Sequence, residues 1–315
     1  MNKTLFIVAI LISNFDFAQN LVPNPSFEIY DTCPSSESQP NNFQLQHALG
    51  WQIPTLATSD YFNVCNITNV SAPSNFMGYQ PPYDGVAYAG ILLLIEENEP
   101  SWTEYIQIKT SEPLKKGSKY NFSFNINHSN ISDYAIRKIG AWFTPNAVSS
   151  NNTTSLFSSL PQIENTTGFL NDSVSWTKIE GDFIANGGEE YLTIGYFIDT
   201  NNIDTLRTSI FADPTAIFSY YYIDGIGLNE VTPEIVIPNI ITPNNDGTND
   251  VFQLNFPYEN VIIYNRWGQK LFESYNDDSF WSGKTKSGTE VRNGTYFYLI
   301  TTEKEIFKGF VQVVR

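Results

Sequence analysis

The sequence predicts an all-β protein in two parts, and three observations carry that prediction. Short runs alternate polar with apolar residues at the period of two that a half-buried strand requires, most strictly in Asn121-Phe122-Ser123-Phe124-Asn125-Ile126-Asn127. Clusters of Gly, Pro, Asn, Asp and Ser punctuate these runs as turns. No long segment carries an apolar stripe at helical spacing. With 315 residues, 41% hydrophobic and 15% aromatic, the chain can bury substantial cores, and its length suits about two domains.

The first element, Met1 to Gln19, reads as a secretory signal peptide. It has Lys3, an apolar run from Leu5 to Ile12 that is too short to span a bilayer, and Ala18 near its end. Cleavage is expected near Ala18 or Gln19, although Asp16 stands where a small residue is favoured if Ala18 is the last residue removed. No cysteine follows the run, so a lipid-anchored N-terminus is not expected, and no later apolar stretch is long enough for a transmembrane segment in the mature chain. The mature product is expected to be soluble outside the inner membrane.

Charge is shared unevenly. Between Asn20 and Thr232, 8 Lys plus Arg face 22 Asp plus Glu, whereas from Pro233 to Arg315 the count is 8 against 10. So acidic a first module repels polyanions, which makes nucleic acid and anionic membrane poor partners. Cys33 and Cys65 are the only cysteines. In an exported chain such a pair is expected to form a disulfide, which by closing this loop stabilises the fold by roughly 3–4 kcal/mol. The spacing excludes a CxxC redox site. His47 and His128, far apart in sequence, give zinc little to build on.

Within the first module, residues 20–231, strands are expected at Asn121–Asn127, Ile139–Phe143 and Tyr191–Ile198, and at both ends, Asn20–Glu28 and Tyr220–Leu228. Asn-, Ser- and Thr-rich stretches around 146–159 and 199–208 read as surface loops. The Glu96-Glu97-Asn98-Glu99 cluster reads as a solvated loop. The pairing of Asn20-Leu21-Val22-Pro23-Asn24-Pro25-Ser26-Phe27-Glu28 with Tyr222-Ile223-Asp224-Gly225-Ile226 resembles galactose-binding-like jelly rolls, the fold of many carbohydrate-binding modules. Gly50-Trp51, Asn75 to Tyr79, Asp84 to Gly90 and Glu104 to Gln107 resemble blocks of an uncharacterised Bacteroidetes group with that jelly roll. The resemblance implies that the two ends of the module lie together and that Glu28 and Asp224 hold a structural calcium ion, whose shell takes about six to eight oxygens.

Sugar recognition needs exposed aromatic faces beside amides or carboxylates. Trp51, Tyr61, Tyr79, Tyr83, Trp102 and Tyr105 lie in or beside loops, with Asn75, Gln80, Asp84 and Glu104 nearby in sequence. Of these, Trp51, Tyr79, Tyr83, Asp84, Trp102 and Glu104 are the ligand-binding candidates, while Trp142, Trp176 and Phe197, in alternating runs, are expected in the core.

After a short joint at Thr232-Pro233-Glu234 comes the tail, residues 235–315. It contains a turn at Thr242-Pro243-Asn244-Asn245-Asp246-Gly247 leading to Asp250 and Phe252, then Tyr264-Asn265-Arg266-Trp267-Gly268, Trp281-Ser282-Gly283-Lys284, Gly294-Thr295-Tyr296-Phe297-Tyr298 and a terminal Lys308-Gly309-Phe310 running to Arg315. These segments resemble the type B C-terminal sorting domain of the type IX secretion system, found in gliding-motility-associated proteins of Bacteroidetes. The resemblance implies a small immunoglobulin-like β-sandwich, a protein partner in the secretion machinery, and passage through the periplasm to the cell surface or medium. It assigns the sorting signal to Asp246, Gly247, Asp250, Arg266, Trp267, Gly268, Gly294, Lys308, Gly309 and Arg315.

No nucleophile elbow, metalloprotease, phosphate-loop or dinucleotide motif occurs. A pair of carboxylates for glycoside cleavage leaves no trace in sequence, because the two can come from any two strands. Asp172-Ser173-Val174 and Asp204-Thr205-Leu206 resemble Bacteroidetes O-glycosylation sites. The expectation is therefore a jelly-roll β-sandwich followed by a small immunoglobulin-like β-sandwich: an exported, non-catalytic passenger for glycan or another surface polymer, with a sorting tail. A secreted glycan hydrolase and a structural or adhesive protein without sugar binding are the alternatives.

Overall fold

The computed structural model describes residues 19–96, 101–154, 156, 161–198, 203–210, 212, 215–231, 235–276 and 279–315. The signal peptide through Ala18, Glu97 to Glu99 and the joint at 232–234 lie outside the described residues. The chain divides between Val231 and Thr232 into two compact units.

The first unit is a sandwich of two antiparallel sheets. One sheet runs in the order Trp51–Gln52, Tyr105–Lys109, Tyr191–Gly195, Gly140–Thr144, Ile163–Glu164. The other runs Thr177–Ile184, Lys119–His128, Ala216–Glu230, Ala87–Glu96, Asp60–Asn63, with Trp102–Thr103 added on Ala87–Glu96. Strand alternation builds the core. Phe122, Phe124, Ile126, Tyr221 and Ile223 of the second sheet meet Ile106, Ile108, Ala141, Phe143, Leu192 and Ile194 of the first, and each large apolar side chain so buried contributes about 1.5–3 kcal/mol.

The intervening residues of the second sheet face outward, and that outer face has two halves. On one, Phe62, Tyr88, Tyr220 and Tyr222 form a smaller aromatic core with Val70, Ala72 and Met77 of the segment laid over them. Gly90 makes this possible, since a Cβ there would sit 2.0 Å from the Tyr220 hydroxyl. The other half is polar. Lys178, Glu180 and Asp182 lie across the ladder from Asn125, Ser123 and Asn121.

The predicted strands at 121–127, 139–143, 191–198 and 220–228 are present, with shifted ends. Asn20–Glu28 is not a strand, because Pro23 and Pro25 cannot donate to a ladder. It still lies along the closing strand, through Leu21 N–H to Leu228 O at 2.8 Å and Ile226 N–H to Pro25 O at 2.9 Å. Part of the expected 199–208 loop pairs as a strand, Thr205–Arg207 on Tyr134–Ile136. Phe197 is buried as expected, but Trp142 and Trp176 are only half-buried. Cys33 and Cys65 form a disulfide with Cα atoms 6.0 Å apart.

In the second unit, one sheet runs Ile240–Ile241, Ile306–Val313, Gly294–Thr301, Asn260–Tyr264, Lys270–Tyr275, with only the first pairing parallel. Ile263, Ile300, Val311 and Val313 pack beneath it against Phe252, Phe256 and Trp281. A second layer faces the sheet. Among the described residues it consists of loops joined by two isolated bridges, Phe252 to Trp281 and Lys284 to Glu290. These loops hold Pro243 and Gly247 beside Asn244 and Asp246, and Gly283 and Gly288 beside Ser282 and Ser287, a composition that favours turns over ladders.

Candidate functional site

The polar half of the outer face ends at three loops that bridge one another. Tyr83 meets Trp176 edge to face with ring centroids 6.2 Å apart. Trp176 Nε1–H donates to Pro81 O at 3.0 Å, which ties the loop before Thr177 to the loop after Tyr79. Asn130 joins them from a third loop: its Oδ1 accepts from Tyr79 N–H at 2.8 Å and its Nδ2 donates to Ser173 O at 2.9 Å. Beneath them, the buried Asn127 holds the Trp176 loop through Nδ2 to Asp172 O and Ser175 O, at 3.2 and 3.0 Å. Tyr79 and Tyr83 remain 58% and 53% exposed on these braced loops. The result is a rigid aromatic edge beside a polar sheet face.

Two carboxylates fix the loop that carries Tyr83. Asp224 accepts from Tyr83 N–H at 2.9 Å, Asp84 N–H at 3.0 Å and Gly225 N–H at 2.6 Å. Glu28 Oε1 accepts from Val86 N–H and Ala87 N–H at 2.8 and 3.0 Å. Gly85, at φ +63°, is required here, because a Cβ would lie 2.3 Å from the Glu28 carboxylate. Burial pushes the Asp224 carboxyl up to about 7 despite its three donors, and the nearby Asp84 adds to the rise. Asp84 itself is exposed and accepts from Ser26 Oγ at 3.1 Å.

The predicted calcium pair is therefore engaged by backbone N–H groups, whose positive ends point where a cation's charge would act. Among the described residues no cluster of three His, Cys, Asp or Glu side chains could supply a fuller cage. Through these N–H groups the two carboxylates themselves hold the loop.

Three of the six ligand candidates reach this edge: Tyr79, Tyr83 and Asp84. The others do not. Trp51 is 2% exposed, stacked on Phe27 at 4.7 Å, with its Nε1–H on Asn24 O. Glu104 is buried, and its oxygens accept from Thr58 N–H, Thr58 Oγ1, Trp102 Nε1–H and Leu92 N–H at 2.9–3.1 Å. Trp102 is thereby turned onto Glu104 and belongs to that buried network. Tyr61 and Tyr105 are likewise buried. Burial raises the Glu104 carboxyl against the pull of its donors. Burial also raises Asp60, helped by the Glu104 charge and opposed by the Tyr220 hydroxyl, which donates to it at 2.6 Å. Trp176 was missed because its run alternates. That the strand begins only at Thr177, leaving the indole on the preceding loop, is not visible in periodicity.

In the second unit the signal residues divide by role. The Asp250 carboxylate gathers Asn244 N–H, Asn245 N–H and Gly247 N–H at 2.6–3.0 Å, and Asp246 accepts from Thr248 N–H and Asn244 Nδ2 at 2.8 Å. These residues shape the turn, with Gly247 at φ +86°. Gly268, at φ +79°, closes the turn that presents Arg266 and Trp267, and Gly294 opens the central strand. Gly309 leaves room for Tyr298 across the ladder, since a Cβ would lie 2.2 Å from its hydroxyl. Arg315 donates to Gly283 O at 3.0 Å and to Val291 O, anchoring the end of the chain. Lys308, Arg266 and Trp267 point outward, Trp267 being 80% exposed.

Comparison with known proteins bears on the two units separately. No curated protein matches the chain. Among solved structures, a cleaved adhesin domain of Lys-gingipain from Porphyromonas gingivalis aligns at 12% identity, covering 66% of this chain and 96% of that one, with a TM-score of 0.32. The CBM22-1 and GH10 modules of a Clostridium thermocellum endo-1,4-β-D-xylanase, complexed with xylohexaose, align at 11% identity over 72% of this chain and 31% of that one, with a TM-score of 0.33. TmCBM61 in complex with β-1,4-galactotriose aligns at 11% identity over 68% and 100%, with a TM-score of 0.29. Residues 235–313 match the model of the CHU_C type IX secretion signal domain. The tail of this all-β chain, residues 235–313, is a type IX secretion signal domain.

Proposed function

We propose that the first unit is a non-catalytic binding module for a neutral glycan, delivered to the cell surface or medium by the signal domain behind it. The observation that carries this reading is the Tyr83–Trp176 edge, with Tyr79 beside it. Aromatic side chains are held in place by hydrogen bonds beneath them and opened to solvent beside the exposed Asn130 and Lys178. A pyranose offers CH patches to such rings and hydroxyls to such amides. A neutral ligand is favoured because the module is strongly acidic.

Binding without chemistry is supported by the fate of Glu104, the glutamate among the ligand candidates. All of its bonds run to the protein's own donors. A glycan array on the full chain, followed by calorimetry with the best ligand, tests the proposal. Tyr83→Ala and Trp176→Ala are each expected to weaken binding about tenfold, the scale of one lost stacking contact. Wild-type affinity in both variants, or release of sugar product from the bound glycan, would reject it.

A further inference from the structure

The turn that presents Arg266 and Trp267 forms one wall of a surface cavity of about 530 Å³ within the second unit. The opposite wall is Arg292, Asn293, Gly294 and Thr295, and Tyr296 lies at its base. Its charge contrasts with that of the chain as a whole, whose formal net charge is −16. Arg266 and Arg292 are exposed and form no ion pair among the described residues. The one carboxylate in the lining, Glu290, faces Arg315 at 3.8 Å. The Tyr296 hydroxyl donates to Arg292 O at 2.8 Å, and the positive charges of Arg266, Arg315 and Arg292 all bear on it. The Arg266 guanidinium lies 5.4 Å from the Trp267 ring centroid, so part of the indole face is already taken by a cation.

We propose that this cavity is a docking site for an acidic peptide segment of a protein partner, its carboxylates taken by Arg266 and Arg292 and an adjoining apolar side chain by Trp267. The proposal rests on the sorting reading of residues 235–313 and names where on that unit, and by what chemistry, its protein partner is gripped. Two guanidiniums without an ion pair among the described residues offer the planar fork that matches a carboxylate. Arg and Trp together are the residue types that dominate protein–protein contacts. A stacked sugar needs a bare ring face, which the Arg266 contact reduces, so an anionic polysaccharide fits less well than a peptide.

The test is calorimetric titration of the full chain with poly-L-glutamate, with dextran sulfate as the anionic polysaccharide probe, for wild type, Arg266→Gln/Arg292→Gln and the outlying control Lys304→Gln, exposed and outside the cavity lining. Urea midpoints confirm that each variant is folded. Salt-sensitive binding of poly-L-glutamate is expected, weakened about tenfold or more by the double substitution and unchanged in the control. Equal binding by the double variant overturns the proposal, as does arginine-dependent binding of dextran sulfate without binding of poly-L-glutamate. In cells the double variant is expected to stay in the periplasm, as does a chain lacking 235–315. Retention of the deletion with normal export of the double variant overturns the cavity and leaves the sorting reading intact. Export of the deletion itself overturns that reading and, with it, the partner assigned here.

Discussion

Replacing Glu104 by alanine separates a structural carboxylate from a ligand-binding or catalytic one. In the native fold four donors converge on it: Thr58 N–H at 3.0 Å, Thr58 Oγ1 at 3.1 Å, Trp102 Nε1–H at 3.0 Å and Leu92 N–H at 2.9 Å. The Thr58 hydroxyl can rotate elsewhere, and the half-buried Trp102 can reach water. The two backbone N–H groups cannot move, and each buried donor left unpaired costs about 1–3 kcal/mol. Removal of a carboxyl that burial disfavours, and whose charge raises the neighbouring Asp60, offsets part of this loss. The net destabilisation is about 2–4 kcal/mol. Urea unfolding of the full chain, read on the first-unit transition, should show a midpoint lowered by about 1–2 M at unchanged slope. Glycan affinity below the transition should stay at the wild-type value. A midpoint at the wild-type value with binding or turnover abolished would refute the reasoning and return Glu104 to the site.

Asp224 gives the pH dependence. Its folded carboxyl, raised to about 7 from 3.8, holds its proton more tightly than the unfolded chain does. Its stabilising contribution is therefore full below about pH 4 and falls as pH rises to about 7, by up to about 4 kcal/mol. Asp224→Asn should flatten the stability profile across that window, and an unchanged slope would contradict the assignment. Cys33→Ser with Cys65→Ser should lower stability by about 3–4 kcal/mol, the loop-closure value, in non-reducing thermal melts. Because Glu28 and Asp224 are engaged by backbone donors, calcium should leave the melting temperature unchanged relative to EDTA. A rise of several degrees would show an ion held between them.

How far the sequence could be read depended on whether a feature is local. Alternation at Asn121–Asn127 placed Phe122 and Phe124 inward because pleat geometry alone decides the face. The tail was legible because glycines and Asx residues at fixed spacings serve local turns, as Gly247 and Asp250 do. Aromatics beside loops were different. Trp51 and Tyr83 both follow turn residues, yet Phe27, 24 residues before Trp51 in the sequence, covers one, while the other is met only at its edge by Trp176 and stays 53% exposed. Which is buried depends on the path of a distant segment.

By itself the sequence determined the all-β build, the paired cysteines, the acid imbalance and the secretion signal domain, since each follows from composition, period or short-range spacing. Only the tertiary structure decided that Glu104 serves the core, that Glu28 and Asp224 hold a loop by its N–H groups, and that Trp176 joins Tyr83 at an open edge. The physical reason is that burial and hydrogen-bond partnership are set by residues tens to hundreds of positions apart. Asp224, for example, takes its donors from Tyr83 and Asp84, about 140 residues earlier in the chain.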